Sequence, residues 1–594
     1  MTDNGFWSRS TSRRLTRRRV LTSGAMAGAG IAGAALIGCS AKQAAPPSPA
    51  APAAAPPSAA APSPAAGGAA PAQGRPGIPA VKGTPKKGGA WTLASNEVYT
   101  THDPHTAVSV SEYSVMGERA WEMDEWTGKL RPNLVESWEI VDPTHYTLKL
   151  RKGINMHDRP PVNGREFDAE DLAFNLMRIG GKYAEKEGIA LGRFQRATTL
   201  IGMDKVEAVD KYTAKVTMSQ PVSTWFNGVT EVRNFMMPRE TVDIGFKNPL
   251  KFAGMGAFMV TKFAEGSEEV WERFDKYYRG APHMDKIVLL AMPDRAAQLS
   301  AFISKQTSLF GAPTKEEKKS IEGARPDALF YEYGGINWQY FRPHMRVKAM
   351  QDARVRRAIR MAINFKEVGE GYHGTGWQYA AAMHPSFPEG WTEDKVKTLP
   401  GYNLATKEKD RAEALKLLDA AGFKNGAGIE FELLDKKKAD NHENGIRIQG
   451  QMQKAIPGMK INLKSASDGA AFNKQQADGE FDVIVNDSTM QPDAVLESMA
   501  HFHSEGSRNY GSFKNADLDA TLEKALAEVN LEARKEILNT WQQKFMDEWQ
   551  PLIMLYTTPV KAFVQPNIGG FDKICGPWTG GRHTANKVAN LYYV

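Results

Sequence analysis

Residues 41–80 are built almost entirely from Ala, Pro, Ser and Gly, as in Ala44-Ala45-Pro46-Pro47-Ser48-Pro49. Such a stretch has too little apolar surface to offset the entropy of ordering it. It divides the 594-residue chain into a short N-terminal segment and a body that starts near Lys86-Lys87-Gly88-Gly89 and ends at Val594. Its prolines favour extended polyproline II at about 3.1 Å per residue, so the stretch is a tether reaching up to roughly 100 Å. The body, about 507 residues, is too long for one compact core and predicts two or three lobes.

The segment before the tether reads as an export signal. Arg9, Arg13, Arg14, Arg17, Arg18 and Arg19 face one acid, Asp3, within residues 1–19. A positive start of this kind stays on the cytoplasmic side while the apolar stretch behind it inserts. Arg17-Arg18-Arg19-Val20-Leu21 is similar to a twin-arginine export motif. Residues 20–38 are Ala- and Gly-rich and end in Leu36-Ile37-Gly38-Cys39, which is similar to a lipobox. Residues 1–38 are therefore expected to be removed, with a lipid on Cys39, and residues 39–85 to form the lipidated tether. The segment carries a net charge of +5 out of +7 for the chain, leaving about +2 on the mature part. The basic balance belongs to the signal and does not point to nucleic acid. Of the two cysteines, Cys39 is taken by the lipid, so Cys575 is left single and is expected to pack near the C-terminus.

The body alternates strand and helix patterns. Ala90-Trp91-Thr92-Leu93-Ala94 and Tyr146-Thr147-Leu148-Lys149-Leu150 alternate as strands. Asp168 caps a helix with Glu170 and Asp171 in its first turn, Leu172, Leu176 and Ile179 on one face and Gly180-Gly181 at its end. Thr406 opens another helix, with Ala414, Leu415, Leu418 and Ala421 inward. Leu518, Leu522, Ala525 and Leu526 mark a third, and Ile537, Trp541 and Phe545 a fourth. No later segment has 18 uninterrupted apolar residues. There is no Gly-x-Ser-x-Gly, no His-Glu-x-x-His and no phosphate-binding Gly-x-x-x-x-Gly-Lys-Ser/Thr, so any ATPase is a separate chain. Among the twelve histidines, His501-Phe502-His503 and His102-Asp103-Pro104-His105 are the closest clusters. On a strand His501 and His503 would share a face, but two imidazoles need further ligands, and neither a metal nor a cofactor is expected.

Several stretches, in order, resemble the peptide, opine and nickel class of solute-binding proteins of ABC importers (bacterial extracellular solute-binding protein family 5). They are Gly88-Gly89-Ala90-Trp91-Thr92-Leu93; Pro132-Asn133-Leu134-Val135-Glu136-Ser137-Trp138 through Leu148-Lys149-Leu150-Arg151-Lys152-Gly153; Gly254-Met255-Gly256-Ala257-Phe258; Tyr277-Tyr278-Arg279-Gly280-Ala281-Pro282; Asp352-Ala353-Arg354-Val355-Arg356-Arg357-Ala358; and Asn509-Tyr510. The resemblance implies an α/β, two-lobed periplasmic-binding-protein fold of type II with an extra N-terminal subdomain and a hinge. Lobe I would cover 86–311, with the subdomain at about 126–219, lobe II 312–550, and residues 551–594 would return to lobe I. Arg354, Arg356 and Arg357 are expected to hold carboxylates.

The same resemblance implies a cleft that captures a peptide or peptide-like solute without chemistry. Closure would present the protein, as a monomer, to the permease membrane subunits. Candidate contacts are Ser95, Asn96 and Glu97 after the first strand, Asn337 and Trp338 where lobe II begins, Trp377 in a covering loop, and Tyr556. Peptide binders of this class often follow the strand at Phe481–Ser488 with a tryptophan and an aspartate that pairs with the peptide's ammonium. Here Ser488-Thr489-Met490-Gln491-Pro492 is shorter and lacks both, leaving Asp487 or Asp493 as substitutes. A glycoside or oligosaccharide, a nickel complex, and a tethered extracytoplasmic enzyme are the alternative readings.

Overall fold

The computed structural model describes residues 78–594 apart from 96–101, 107–114, 127, 195, 232, 437, 438, 468 and 577–587. The export segment, Cys39 and residues 40–77 of the tether lie outside the described residues, as do Asn96 and Glu97. The first part of the body contains β1 (Ala90–Ser95), β2 (Val135–Asp142), β3 (His145–Leu150), α1 (Ala169–Ile179), β4 (Met203–Asp210), β5 (Thr213–Met218), β6 (Phe258–Ala264), β7 (Glu268–Arg273) and β8 (Lys286–Ala291). These strands make two four-stranded sheets, β1-β8-β7-β6 and β2-β3-β5-β4. In the first, β1 runs parallel to β8 while the other pairs are antiparallel. The second is antiparallel throughout.

Local chemistry sets the element ends. The Asp168 side chain accepts from the Asp171 amide and Asp171 reaches back to the Asp168 amide, closing a capping box at the start of α1. Leu172, Leu176 and Ile179 are buried, and the helix stops at Gly180. After β3 the chain turns at Gly153, whose φ of +77° suits glycine.

The second part contains β9 (Leu309–Gly311), β10 (Leu329–Pro343), α2 (Ala353–Ala362), α3 (Phe365–His373), α4 (Lys407–Ala420), β11 (Glu430–Asp435), α5 (Ala439–Ala455), β12 (Lys460–Ser465), α6 (Gly469–Asp478), β13 (Val483–Thr489), α7 (Ala494–Phe502), α8 (Ala516–Ala527), α9 (Leu531–Lys544) and β14 (Ile553–Val564). The strands form one six-stranded sheet in the order β9-β14-β10-β13-β11-β12. β11 is parallel to both β12 and β13; the pairs involving β10 and β14 are antiparallel. α8 buries Leu518, Leu522, Ala525 and Leu526, and α9 buries Leu538 and Trp541 before a π turn at Phe545–Trp549. Cys575 is buried, and its Sγ donates to the Asp572 carbonyl at 3.4 Å.

Two long strands connect two cores. β10 and β14 pair from Leu329↔Val564 to Phe341↔Ile553, with register shifts between Gly334 and Asn337 and between Gln339 and Tyr340. Below the first shift, Tyr331, Tyr333, Ala562 and Val564 join the core of the β1-β8-β7-β6 sheet, with Trp91, Phe258, Trp271 and Ile287. Above it, Ile336, Trp338, Tyr340 and Tyr556 join a second core with Leu433, Val483, Leu522 and Trp541. This second cluster is continuous with Leu148, Val216 and Trp225 of the β2-β3-β5-β4 unit. At the crossing, a Cβ on Gly335 would sit 2.5 Å from the Thr558 carbonyl oxygen, so only glycine lets the strands approach so closely.

The arginines of α2 depart in part from expectation. Arg354 pairs with Asp352, but Arg356 donates to the carbonyls of Met350, Trp549 and Gln550, and Arg357 to that of Asp547. The wide turn after α9 leaves carbonyls without intrahelical donors, and these guanidiniums satisfy them.

Candidate functional site

In open α/β sheets, ligands sit at the carboxyl ends of parallel strands. Here β11, β12 and β13 end at Asp435, Ser465 and Thr489, and α5 starts just after β11. The Asp435 carboxylate is fully buried and accepts from His442 Nδ1 at 2.8 Å and from Ser465 Oγ at 3.1 Å. That bond fixes the imidazole ring and leaves its Nε2 edge on a side chain that is 43% exposed.

Beside this trio lies a chain of buried amides. Gln339 Nε2 donates to Asn441 Oδ1, Asn441 Nδ2 to Asn486 Oδ1, and Asn486 Nδ2 to Gln476 Oε1 and to the Tyr340 hydroxyl. Asn444 Nδ2 donates to the Tyr556 hydroxyl at 2.6 Å. Burial pushes the Tyr340 phenol up to about 12, which keeps its proton in place at any physiological pH. The network locks α5 onto β10, β13 and β14, a rigid floor for whatever binds above it.

The loop after β13 is held from beneath. Glu497 of α7 is buried; its Oε1 accepts from Trp338 Nε1 at 2.9 Å and its Oε2 from the Gln491 amide at 2.8 Å. Burial raises the Glu497 carboxyl above its ordinary range, and burial with Arg342 and Arg508 nearby holds His501 well below the usual imidazole range. Arg342 Nη2 donates to His501 Nδ1 at 2.7 Å, which places the imidazole proton on Nε2, facing Ser488 Oγ at 3.2 Å and Glu497 Oε1 at 3.4 Å. A serine, a histidine and a carboxylate thus meet, but the histidine nitrogen facing the serine carries a proton and has no lone pair to act as its base.

The residues singled out in the sequence fall into distinct places. Ser95 ends β1, its carbonyl accepting from the Met292 amide at 2.7 Å. Asn337 pairs with Thr489 across the sheet, and its side-chain Oδ1 is buried with no partner among the described residues. Asp487 lies opposite Gln339 on β13 and is half-buried. Trp338 and Tyr556 are buried supports, the first holding Glu497 and the second under α5. Trp377 packs across α3, where a Cβ on Gly369 would be 2.4 Å from its ring, and stands edge-on to Tyr379 at 4.8 Å. Asp493 caps α7, its Oδ1 accepting from the Val495 and Leu496 amides. His501 and His503 do not lie on a strand: His501 ends α7 inside the Arg342–Glu497 cluster, and His503, just beyond, is 3.4 Å from Glu523. His102 and His105 are buried, and His105 Nε2 meets the Phe235 carbonyl at 2.9 Å. Among the described residues no three such side chains gather as a metal site.

A second polar cluster joins the N-terminal part to the second core. Asn227 Nδ2 donates to Asp493 Oδ2 at 2.7 Å, and the Ser223 amide and hydroxyl both donate to the Leu526 carbonyl at 3.0 and 2.9 Å. Arg534 completes it, 2.6 Å from Glu389 and 3.4 Å from Asp493. The sequence reading missed Asp435, His442, Ser465, Asn441, Asn486, Glu497 and Asn227. The spacing Asn441…Asn444 and Glu497…His501, one turn apart on helices, was the available signal; Asn227 had none, because its partner is 266 residues away.

The family model for bacterial extracellular solute-binding proteins, family 5 Middle, matches residues 129–509. The dipeptide-binding protein of Escherichia coli is 23% identical over 494 residues, covering 78% of this chain and 86% of that one. The probable deoxycholate-binding periplasmic protein YgiS of Escherichia coli is also 23% identical, over 75% of this chain and 83% of that one. The periplasmic binding protein DppA of Helicobacter pylori, solved with the peptide STSA, superposes with a TM-score of 0.70 at 19% identity, covering 86% of this chain and 98% of its own. The chain shares their two-lobed, mixed α/β fold, and no helix among the described residues is long and apolar enough to cross a membrane. The chain therefore belongs to the bacterial extracellular solute-binding proteins of family 5, the binding components of ABC importers.

Proposed function

We propose that the protein captures a peptide or peptide-like, amine-bearing solute between its lobes and hands it to an ABC permease powered by a separate ATPase chain. The observation that carries the reading is the β10–β14 ribbon, which crosses between two cores beside the ends of β11, β12 and β13. Two strands crossing together can flex at the register shift without unfolding either core. The crossing at 334–337 and 557–559 is where we place the hinge, so lobe I, with its subdomain at about 126–219, runs to about 333 and resumes near 560 instead of at the 311 and 551 expected from the sequence, and lobe II lies between. We assign solute contact to Ser95, Asn337, Asp487 and His442, together with Asn96 and Glu97, which follow Ser95 in the chain. Trp338 and Tyr556 support that surface from below, and Trp377 covers α3 beside it.

Relatives that carry peptide names favour the peptide reading, as does a carboxylate at Asp487 near the end of β13, next to the segment expected to meet an ammonium. The export segment supports a twin-arginine route, lipid on Cys39, and a monomer held outside the cytoplasm by the tether. A thermal-shift screen of the purified full chain against dipeptides, longer peptides, oligosaccharides and Ni²⁺ tests the solute class. A binder at 100 times its dissociation constant adds about 2.7 kcal/mol. A shift with peptides and recovery of the peptide unchanged support stoichiometric capture. A shift with sugars alone refutes the peptide reading, and turnover of the ligand refutes capture without chemistry. Cys39→Ser, which should release the protein from membranes, tests the anchor.

A further inference from the structure

We propose that the seam between the subdomain and lobe II holds an apolar subsite that takes one bulky apolar group of the captured solute, a phenyl- or branched-alkyl-sized side chain. This rests on the solute-capture reading and narrows it. A cavity of about 200 Å³ opens where the 198–201 segment meets α7 and α8. Thr199 and Ile201 form one wall; Leu496, Met499 and Ala500 of α7 and Leu526 of α8 form the other. An apolar cavity of about 150 Å³ is enough to take benzene, so a six-membered ring or a leucine-sized group fits.

Three features argue that the cavity is built for an apolar occupant. Ile201 is 39% exposed beside it, an apolar side chain left facing the opening. Part of its polar edge is engaged elsewhere: the Gln491 backbone amide donates to Glu497, Thr199 Oγ1 donates to the Arg196 carbonyl, and His503 lies 3.4 Å from Glu523, while Glu505 and Ser507 line the rim. The walls are also fixed. The Leu526 carbonyl holds Ser223, and Asp493, which caps α7, holds Asn227 and lies 3.4 Å from Arg534. Because one wall comes from each lobe, an apolar group here gains its full burial only when the lobes are in contact. It therefore favours the closed form over the open one. The neighbouring Gln491 belongs to the loop that follows β13, so the subsite adjoins the surface assigned to the solute.

The test uses two matched peptide sets, Ala-Ala-Ala and its variants with Phe or Leu at each position, titrated calorimetrically into the full chain. Two variants fill the cavity from opposite walls, Ala500→Phe from α7 and Ile201→Trp from the exposed side, so that a folding defect in the first leaves the second informative. The expected result is at least tenfold tighter binding of a Phe or Leu variant at one position. In either filled variant that preference falls to within about twofold, with the Ala-Ala-Ala affinity retained. A preference that survives both filled variants, or no preference in the wild-type chain, overturns the subsite while leaving capture intact. If no peptide binds, peptide capture fails, and indole then tests the cavity by itself. A melting shift with indole that the filled variants abolish upholds the apolar subsite; an absent shift, or one they retain, overturns it.

Discussion

Replacing Asn227 with alanine removes a single hydrogen bond to Asp493 of α7, and its effect follows from the groups around it. Asn227 donates at 2.7 Å to Asp493 Oδ2, a carboxylate that also caps α7 through Oδ1. A hydrogen bond to a charged group contributes about 1.5–3 kcal/mol. Asp493 keeps the Val495 and Leu496 amides and Arg534 at 3.4 Å, so the loss falls at the lower end, about 1.5 kcal/mol. On the proposed lobe assignment this bond links lobe I to lobe II, between segments that both pack on the second core. The loss therefore falls on the ratio of closed to open protein, which drops about tenfold. Calorimetry should show roughly tenfold weaker solute binding, and small-angle scattering a larger radius of gyration for the solute-free variant, with the melting temperature nearly unchanged. Arg534→Met is the contrast: it strands the buried carboxylates of Glu389 and Asp493 and should cost about 3–5 kcal/mol of overall stability. Unchanged affinity and radius in Asn227→Ala, or a melting loss as large as that of Arg534→Met, would refute the assignment of this bond to lobe closure.

Three further outcomes follow from single groups. Lys407 is 6% exposed, and burial, with Arg411 beside it, lowers its amine to about 7; its unfolded counterpart titrates near 10.5, so the unfolded chain holds more protons between these values and stability rises with pH from about 7 to 10. Lys407→Met should abolish that rise in denaturant titrations and stabilise the protein at pH 7, and an unchanged pH slope would count against it. His105, His157 and His384 are buried neutral, with burial lowering them to about 3, 4 and 3, so each withdraws stability as pH falls from about 6.5 towards 4; circular dichroism should show acid unfolding within that window, shifted to lower pH in His384→Gln. Trp338→Phe keeps the ring but removes one donor from buried Glu497, which should cost about 1–3 kcal/mol and loosen the Gln491 loop, read as a lower melting temperature together with weaker solute binding.

Much of the architecture was legible in the chain. The cap of α1 and the apolar stripes of α1, α8 and α9 predict those helices because each is set by residues within a few positions of one another. The arginines of α2 illustrate the limit: their partners are carbonyls of a turn almost two hundred residues away, invisible to any local pattern. His501 and His503 would share a face only on a strand; they lie instead near the end of α7 and at its C-cap, and three residues by themselves fit either period. The site was read less fully than the fold. Asn337, Asp487 and Ser95 could be proposed from family order, but the Asp435–His442–Ser465 trio could not, since its members come from three separate segments.

The sequence by itself determined the body's alternating α/β elements and the family to which it belongs. These rest on composition, on short-range periodicity, and on motifs that keep their order along the chain. Only the tertiary structure decided which carboxylates lose their water, which histidines are held neutral, and where the lobes touch. Those properties depend on burial and on contacts across hundreds of residues: Asn227 with Asp493, Leu526 with Ser223, and the cavity between Ile201 and Met499 exist only once segments far apart in the chain have packed together.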